Sequence, residues 1–549
     1  MMTKTVIEHV LSRLYDLGIS DIFGVPGDYA FPIEDAICVD KRLRWIGNCN
    51  ELNASYAADG YARIHGMAAL STTFGVGELS AISGIAGAYA ESLPIFHLVG
   101  MPASTVQTEG GIVHHTLGDG HFTAFYEATA AFVCARAIMT PENCVAETER
   151  LIAAALRYRK PVYMVFPSDY ATMPVVEQAL PASAVAQSDP AVLTEVVDIL
   201  ADRLNNSQQV CALPGIYLAR NGVRQEALNL IEAANLPFAT MMMDKSVLDE
   251  THPNYVGMYN GNLLDTQVRA FVEGSDCILK MGTIMSDFNT GAFTARLDSR
   301  KCISIMPEAV QIGGAVYNNV LIKDVLTALA QKVSKKAFPA QAPKVAGLPV
   351  VTASGKITAE YLYSRWQQML KPNDIVVAET GTSSMGLGFA LMPQGATFHN
   401  QTLWGAIGWA TPAALGTAMA APEQRTVLIT GEGSHQLTAQ EISQFYRYGL
   451  KPLIFVLNND GYLIERLLCK DGDIYYNDLA QWKYAKLPEA MGCENWFTAR
   501  VATCEELDAA IRQAEASGHA AYIEVVTEKY ASSELAEKLH ESVSSLYSA

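Results

Sequence analysis

Gly431-Glu432-Gly433-Ser434, with Asn458-Asn459-Asp460-Gly461-Tyr462 beyond it, decides how this chain folds. Residues 425–430 (RTVLIT) read as a buried strand, residues 436–446 as a helix and the apolar run 452–457 as the next strand. That succession is a βαβ unit. Glycines 431 and 433 stand where the first strand ends, so backbone can approach a phosphate closely and offer N–H groups from the helix start. Glu432 and the side-chain oxygen of Asn459, delivered by neighbouring strand ends, can hold a hard divalent cation that bridges phosphate oxygens. A Gly-acid-Gly turn alone is an ordinary turn; the second element gives it meaning.

Composition narrows the class. The chain has 549 residues, 50% hydrophobic and 17% charged, enough for about three or four domains with buried cores. A net charge of −18 disfavours nucleic acid and anionic membrane surfaces as partners. Ten cysteines occur without a Cys-x-x-Cys pair, as in a reduced protein without a zinc site. The first twenty residues read as a charged amphipathic helix, and no uncharged apolar run is long enough to span a bilayer. The expectation is a soluble, cytoplasmic protein.

Three segments follow along the chain. Residues 1–180 alternate helical patterns with apolar strands at 22–25, 68–72, 95–99 and 162–166, which implies a parallel sheet covered by helices. A Pro- and Ala-rich linker occupies 174–190. The segment 190–340 has strands at 209–213, 277–281 and 301–305, none followed by G-x-G-x-x-G, so a dinucleotide site of the usual fingerprint is not indicated. A second linker, 334–351, precedes the segment 355–549, which carries the Gly431 and Asn458 stretches.

Asn50-Glu51-Leu52-Asn53 opens an Ala-rich helical pattern with no basic residue within a turn of Glu51. His114-His115 is an adjacent histidine pair, and histidine both gives and takes a proton near neutrality.

The Gly431 and Asn458 stretches together resemble the signature of thiamine diphosphate enzymes, Gly-Asp-Gly followed at this distance by Asn-Asn. NELNASYAADGYAR, residues 50–63, closely resembles the pyrimidine-domain helix of thiamine diphosphate decarboxylases. FGVPGDY at 23–29 and HHTLGDG at 114–120 are similar to the pyruvate and indolepyruvate decarboxylase branch, whereas acetolactate synthases lack the double histidine. The likeness covers nearly the whole chain.

It implies an α/β protein of three doubly wound parallel-sheet domains: pyrimidine-binding (1–180), middle (190–340) and diphosphate-binding (355–549). The implied reaction is nonoxidative decarboxylation of a 2-keto acid to an aldehyde and carbon dioxide; a carboligase and a catalytically weak paralogue are the alternatives. By the resemblance, Glu51 hydrogen-bonds and activates the cofactor, while Asp28, His114, His115 and Glu465 relay protons. Thr380, Thr382, Gly405, Ile407, Gly433, Ser434, Asn459 and Gly461 hold thiamine diphosphate, and Glu432, Asn459 and the Gly461 carbonyl hold Mg²⁺. Glu432 stands where the family has Asp, and the extra methylene moves the carboxylate by about 1.5 Å. The loop adjusts, a larger ion serves, or affinity falls. The implied substrate pocket contains Ser384, Met385, Ile464 and Leu468, with Leu535 and Leu539 near the C-terminus. Pyruvate-selective relatives carry Trp-Phe where this chain has Ser384-Met385, so larger aromatic, long or branched keto acids are expected. The family architecture also implies at least a homodimer, with a tetramer expected, in which Glu51 serves the partner's cofactor.

Overall fold

The computed structural model describes residues 4–176 and 186–543. Residues 177–185 of the first expected linker, and positions 1–3 of the expected N-terminal helix, lie outside the described residues. The described part of that helix is Val6–Asp16, started by a capping box in which Thr5 and Glu8 exchange side-chain-to-backbone hydrogen bonds.

The chain packs as two compact units. The first comprises residues 1–186 with Thr411–Glu423 and Thr438–Leu450. Its sheet has six parallel strands in the order Arg44–Gly47, Asp21–Gly24, Ala68–Thr72, Ile95–Met101, Val162–Pro167, Ala135–Ile138. The two strands Ile95–Met101 and Val162–Pro167 are buried at every position, which is why they read as apolar runs, broken only by His97, rather than as alternating ones. The helix Ala410–Ala420 lies against Glu51–His65 at backbone distance. A Cβ on Gly60 would stand 2.0 Å from the Ala413 carbonyl oxygen, and one on Gly416 would stand 1.9 Å from that of Ala57. Only glycine at both positions permits this approach, so a late stretch of sequence packs in the unit built from the start of the chain.

The second unit holds two sheets. One runs Thr397–His399, Ile375–Ala378, Thr426–Gly431, Leu453–Asn458, Ala521–Val526, Phe497–Val501, all parallel. The other runs Ala315–Asn318, Ala309–Ile312, Cys302–Met306, Cys277–Met281, Val210–Pro214, Phe238–Thr240, Tyr255–Met258. This sheet is not wholly parallel: Ala309–Ile312 and Ala315–Asn318 pair antiparallel around Gly313-Gly314. A left-handed Gly313 (φ +58°) at the first turn position suits a tight hairpin. The second linker, 334–351, carries neither helix nor strand, and all ten cysteines are free thiols.

Beside the Gly431 turn the structure departs from the helix expected over 436–446. A helix starts at Glu432 and ends at Thr438, a 3₁₀ turn spans Ala439–Glu441, and a second helix runs Ile442–Arg447. Thr438 leaves helical geometry (φ −139°, ψ 14°), and Glu441 beyond it uses its carboxylate to bind Asn48 and Asn53.

Candidate active site

In a parallel sheet the loops at the C-terminal edge converge where neighbouring strands connect in opposite directions. In the sheet containing Thr426–Gly431 that point lies between Ile375–Ala378 and Thr426–Gly431. The loops after four adjacent strands there supply Thr380, Gly405 with Ile407, Glu432, and Asn459. One cavity of about 170 Å³ is lined by Thr380, Thr382, Ile407, Glu432, Gly433, Ser434, Asn459, Gly461, Ile464 and Glu465. Its two turn glycines differ in purpose. A Cβ on Gly431 would meet nothing within 4 Å, so the position is kept open, whereas one on Gly433 would strike the Tyr462 ring at 2.4 Å. The first-turn N–H groups of Gly433 and Ser434 have no carbonyl partner within their helix.

Glu432 Oε1 accepts the backbone N–H of Asn459 at 3.0 Å and of Gly461 at 2.8 Å. Burial pushes its carboxyl up to about 7, against the pull of those N–H groups and of the Arg466 charge. The Asn459 side-chain oxygen faces only acceptors, 2.8 Å from the Gly461 carbonyl oxygen and 3.1 Å from Glu432 Oε1. Neighbouring ligands of an octahedral ion at about 2.1 Å stand about 3 Å apart, so the three oxygens are spaced to share a small hard cation. Turned over, the same amide donates to both oxygens. The longer Glu432 is accommodated because it reaches the opposite loop's N–H groups.

Gly405 is left-handed (φ +68°), and its N–H donates to the Gln401 carbonyl at 3.0 Å. Gly405 does not line the cavity, but Ile407, two residues on, does. Ser384 and Met385 separate. Ser384 is buried with its hydroxyl on the Gly381 carbonyl at 3.1 Å and lines neither this cavity nor the next. Met385 and Leu468 line a second, apolar cavity of about 110 Å³ with Leu263, Phe288, Leu535 and Leu539. Ile464, in the same short helix as Leu468, faces the first cavity.

The first unit gathers the remaining residues on its own C-terminal edge. His114 Nε2 lies 2.5 Å from Asp28 Oδ2 and His115 Nε2 3.8 Å from Oδ1. Partial burial disfavours ionised Asp28, but the hydrogen bond and charge of His114 outweigh it and hold the carboxyl below its ordinary value. Tyr29 stacks on His114 with ring centroids 4.9 Å apart, and His115 is left-handed (φ +61°). Asp28, His114 and His115 are the one group of at least three acidic, His or Cys side chains, among the described residues, with ligand atoms close enough to share a metal. Glu51 is the first residue of Glu51–His65 and is half-buried, capped by Asn50, whose side chain accepts the Asn53 N–H at 2.7 Å. Glu465 belongs to the second unit and is exposed at its cavity.

Sequence reading missed the residues that hold these groups in place. The turn after Ala68–Thr72 touches all three: Thr73 packs against Gly27, Gly75 against the His115 carbonyl, and Gly77 beside Glu51 Oε1. The Thr73 hydroxyl is buried with no partner among the described residues. Glu441 accepts Asn48 Nδ2 and Asn53 Nδ2, each at 2.7 Å, and the Cys49 N–H at 3.3 Å, clamping the start of the Glu51 helix. Arg466 is buried and donates to the Asn459 carbonyl at 3.0 Å and to that of Asp460. A charged side chain inside an otherwise amphipathic stretch is the only sequence signal any of them offers.

Comparison with known proteins bears on both sites. Residues 4–121 match the N-terminal thiamine pyrophosphate binding domain of thiamine pyrophosphate enzymes, 197–332 their central domain, and 368–525 their C-terminal thiamine pyrophosphate binding domain. An alpha-keto-acid decarboxylase of Mycolicibacterium paratuberculosis is 38% identical over 516 residues, 93% of this chain and 91% of its own length. One from Mycobacterium leprae is 37% identical over 533 residues, 96% of this chain and 93% of its own. One from Mycobacterium avium is 38% identical over 518 residues, with 93% and 91% covered.

Proposed function

The chain belongs to the thiamine diphosphate-dependent alpha-keto-acid decarboxylases, and from that premise we propose that it prefers keto acids with large apolar side chains, such as indolepyruvate, phenylpyruvate or long and branched aliphatic ones. The apolar cavity beside the Glu432 cavity carries this reading, since Met385, Leu468, Leu535 and Leu539 offer room and dispersion contacts that a methyl group would leave unused.

Loss of carbon dioxide from a 2-keto acid leaves an acyl carbanion, and bound thiamine diphosphate supplies the electron sink that makes this feasible. The chain's residues do the rest. Gly433 and Ser434 offer N–H groups to the diphosphate, Ile407 and Thr382 shape the cavity, and Glu432, Asn459 and the Gly461 carbonyl hold the cation, which we assign as Mg²⁺. We assign cofactor contacts also to Thr380 and Gly405, and activation by proton sharing to Glu51. Asp28, His114, His115 and Glu465 give and take the protons of carbanion capture and aldehyde release. His114 Nε2 stands 2.5 Å from Asp28, whose carboxyl is held below its ordinary value, so the pair is placed to pass a proton. The proposed domains are 1–180, 190–340 and 355–549, in a homodimer or tetramer where Glu51 serves the partner's cofactor.

Steady-state decarboxylation of pyruvate, phenylpyruvate, indolepyruvate and a branched aliphatic keto acid tests the proposal, with aldehyde and carbon dioxide measured together after reloading stripped enzyme with thiamine diphosphate and Mg²⁺. Equimolar products, with kcat/KM higher for the large substrates, support it. Highest kcat/KM on pyruvate refutes the preference, and coupled hydroxyketones in place of aldehyde refute the reaction.

A further inference from the structure

The segment that brings Ile407 to the Glu432 cavity, residues 400–409, has neither helix nor strand, so side chains must hold it in place. Its start is pinned by Asn400, whose amide donates to the Ala378 carbonyl at 3.0 Å, and by the buried Gln401, whose side-chain oxygen accepts the Ala406 N–H at 3.0 Å. Its end is held from another loop. Glu379, the residue after the strand Ile375–Ala378, accepts the N–H of Gly408 and, through Oε2 at 3.3 Å, that of Ala410, where the helix Ala410–Ala420 begins. A carboxylate there also meets the positive end of the helix. The same Oε2 accepts the Thr430 hydroxyl at 3.2 Å, and Oε1 accepts the Thr380 N–H at 3.2 Å. One side chain thus gathers donors from three stretches that line the cavity, through Thr380, Ile407 and Gly431.

Glu379 is only 1% exposed, and among the described residues no cation pairs with it. Burial pushes its carboxyl up to about 7, opposed by the N–H groups of Thr380 and Ala410, the Thr430 hydroxyl and the Gly408 N–H. A buried acid without a counter-charge is costly, and such groups gather at functional sites. Three of the four groups aimed at it are backbone N–H groups, which only donate, so the position calls for an acceptor on both oxygens. An amide in its place sets its NH₂ against a backbone N–H whichever way it turns, that of Thr380 at Oε1 or that of Ala410 at Oε2. Aspartate falls short of them by about one C–C bond, ~1.5 Å.

We propose that Glu379 is a positioning residue for the decarboxylation, its carboxylate setting how far Ile407 reaches into the Glu432 cavity. The Thr430 hydroxyl, 3.2 Å from Oε2 and 3.3 Å from the Gly431 carbonyl, ties that reach to the turn that carries Glu432. Glu379 does not itself line the cavity, so it acts through Ile407 and Thr380 and not on the reacting atoms. This role rests on the proposed function, in which the Glu432 cavity is the cofactor's.

The test uses the full-length protein, stripped and reloaded with thiamine diphosphate and Mg²⁺, and compares wild type with Glu379→Gln, Thr430→Val and Ile407→Ala. Calorimetric titration reads the affinity for thiamine diphosphate, near-UV circular dichroism reads the setting of the bound cofactor, and kcat is taken per bound cofactor, so that loss of folded protein does not count. Glu379→Gln is expected to change the near-UV bands in the same sense as Ile407→Ala and to bind thiamine diphosphate roughly tenfold or more weakly. Its kcat per bound cofactor is expected to fall by about 10- to 100-fold with KM little changed. Thr430→Val keeps the shape and removes one donor; it is expected to move the same readouts in the same direction by less, and its result stands alone should Glu379→Gln fail to fold. If Glu379→Gln and Thr430→Val match wild type in bands and in kcat per bound cofactor, whatever their Tm, while Ile407→Ala changes both, the positioning role is overturned and the cavity remains the cofactor's. If Ile407→Ala also matches wild type, the Glu432 cavity is not the cofactor's and the role of Glu379 falls with it.

Discussion

Glu432 Oε1 and the backbone N–H of Gly461 stand 2.8 Å apart, so the carboxylate that the sequence nominates for a cation also ties two neighbouring strand ends together. Aspartate at this position falls short of that N–H by about one C–C bond, ~1.5 Å. Glu432→Asp is expected to lower Tm in the metal-free protein and to retain cofactor and cation more weakly. Glu432→Gln keeps the reach and loses the charge, so its metal-free Tm stays near wild type while cation affinity drops about 10- to 100-fold. Metal content and bound cofactor after dialysis, with thermal melts, separate the two. Tighter retention by Glu432→Asp would show that the tie to Gly461 has no weight.

Arg466 supports the same loop from behind. Arg466→Met leaves the carbonyls of Asn459 and Asp460 without their buried donor, a cost of about 1–3 kcal/mol each. Lower Tm and faster cofactor loss are expected together, with Arg466→Lys recovering part of both, because it restores a buried cation but offers its donors from one nitrogen where Arg466 uses two. A variant that melts earlier but keeps its cofactor as wild type does would confine Arg466 to folding.

The contrast between Glu432 and Arg466 marks what the sequence could disclose. Turn glycines, strand runs and an acid at a strand end follow from local rules, so the βαβ unit and most of the Glu432 cavity were legible. Arg466, Glu441 and Thr73 act through contacts between loops that no local pattern encodes; Glu441 sits 388 residues from Asn53. The 3₁₀ break at Ala439–Glu441 was hidden for the same reason, since a long-range carboxylate clamp overrides helical periodicity there. The hairpin at Gly313-Gly314 had a local signal, a Gly-Gly pair between apolar residues, in a segment whose other strands suggested parallel pairing.

Glu78 gives a prediction on pH. Its carboxyl is buried, takes the Gly75 N–H at 2.8 Å and the Tyr163 hydroxyl, and so fixes the turn that meets Glu51 and the His115 carbonyl. Burial, opposed by those two bonds, raises it from 4.5 to about 7. Between those values the folded protein holds a proton that the unfolded chain has released, so stability falls as pH rises through the window and is level above it. Glu78→Gln cannot ionise. Its Tm relative to wild type is expected to climb from about pH 4.5 to about pH 7, by the equivalent of at most about 3 kcal/mol, and then to plateau. A constant difference across that range would mean that Glu78 is ionised throughout in the folded protein.

Met385 and Ser384 are neighbours with opposite surroundings, and substrate choice turns on which one meets the substrate. The resemblance points to the pair jointly, but Met385 lines the apolar cavity, while Ser384 spends its hydroxyl on the Gly381 carbonyl. Met385→Trp replaces a slim thioether with an indole in a cavity of about 110 Å³, already walled by Leu263, Leu468 and Leu535. Its kcat/KM for phenylpyruvate and indolepyruvate is expected to fall by about tenfold or more, with pyruvate changed much less, because only the large side chains compete for the filled volume. Ser384→Ala is expected to leave the ranking of substrates untouched and to cost about 1 kcal/mol of stability through the lost hydrogen bond. If Ser384→Ala reorders the substrates and Met385→Trp does not, the large side chain is held elsewhere than in the cavity of Met385 and Leu468.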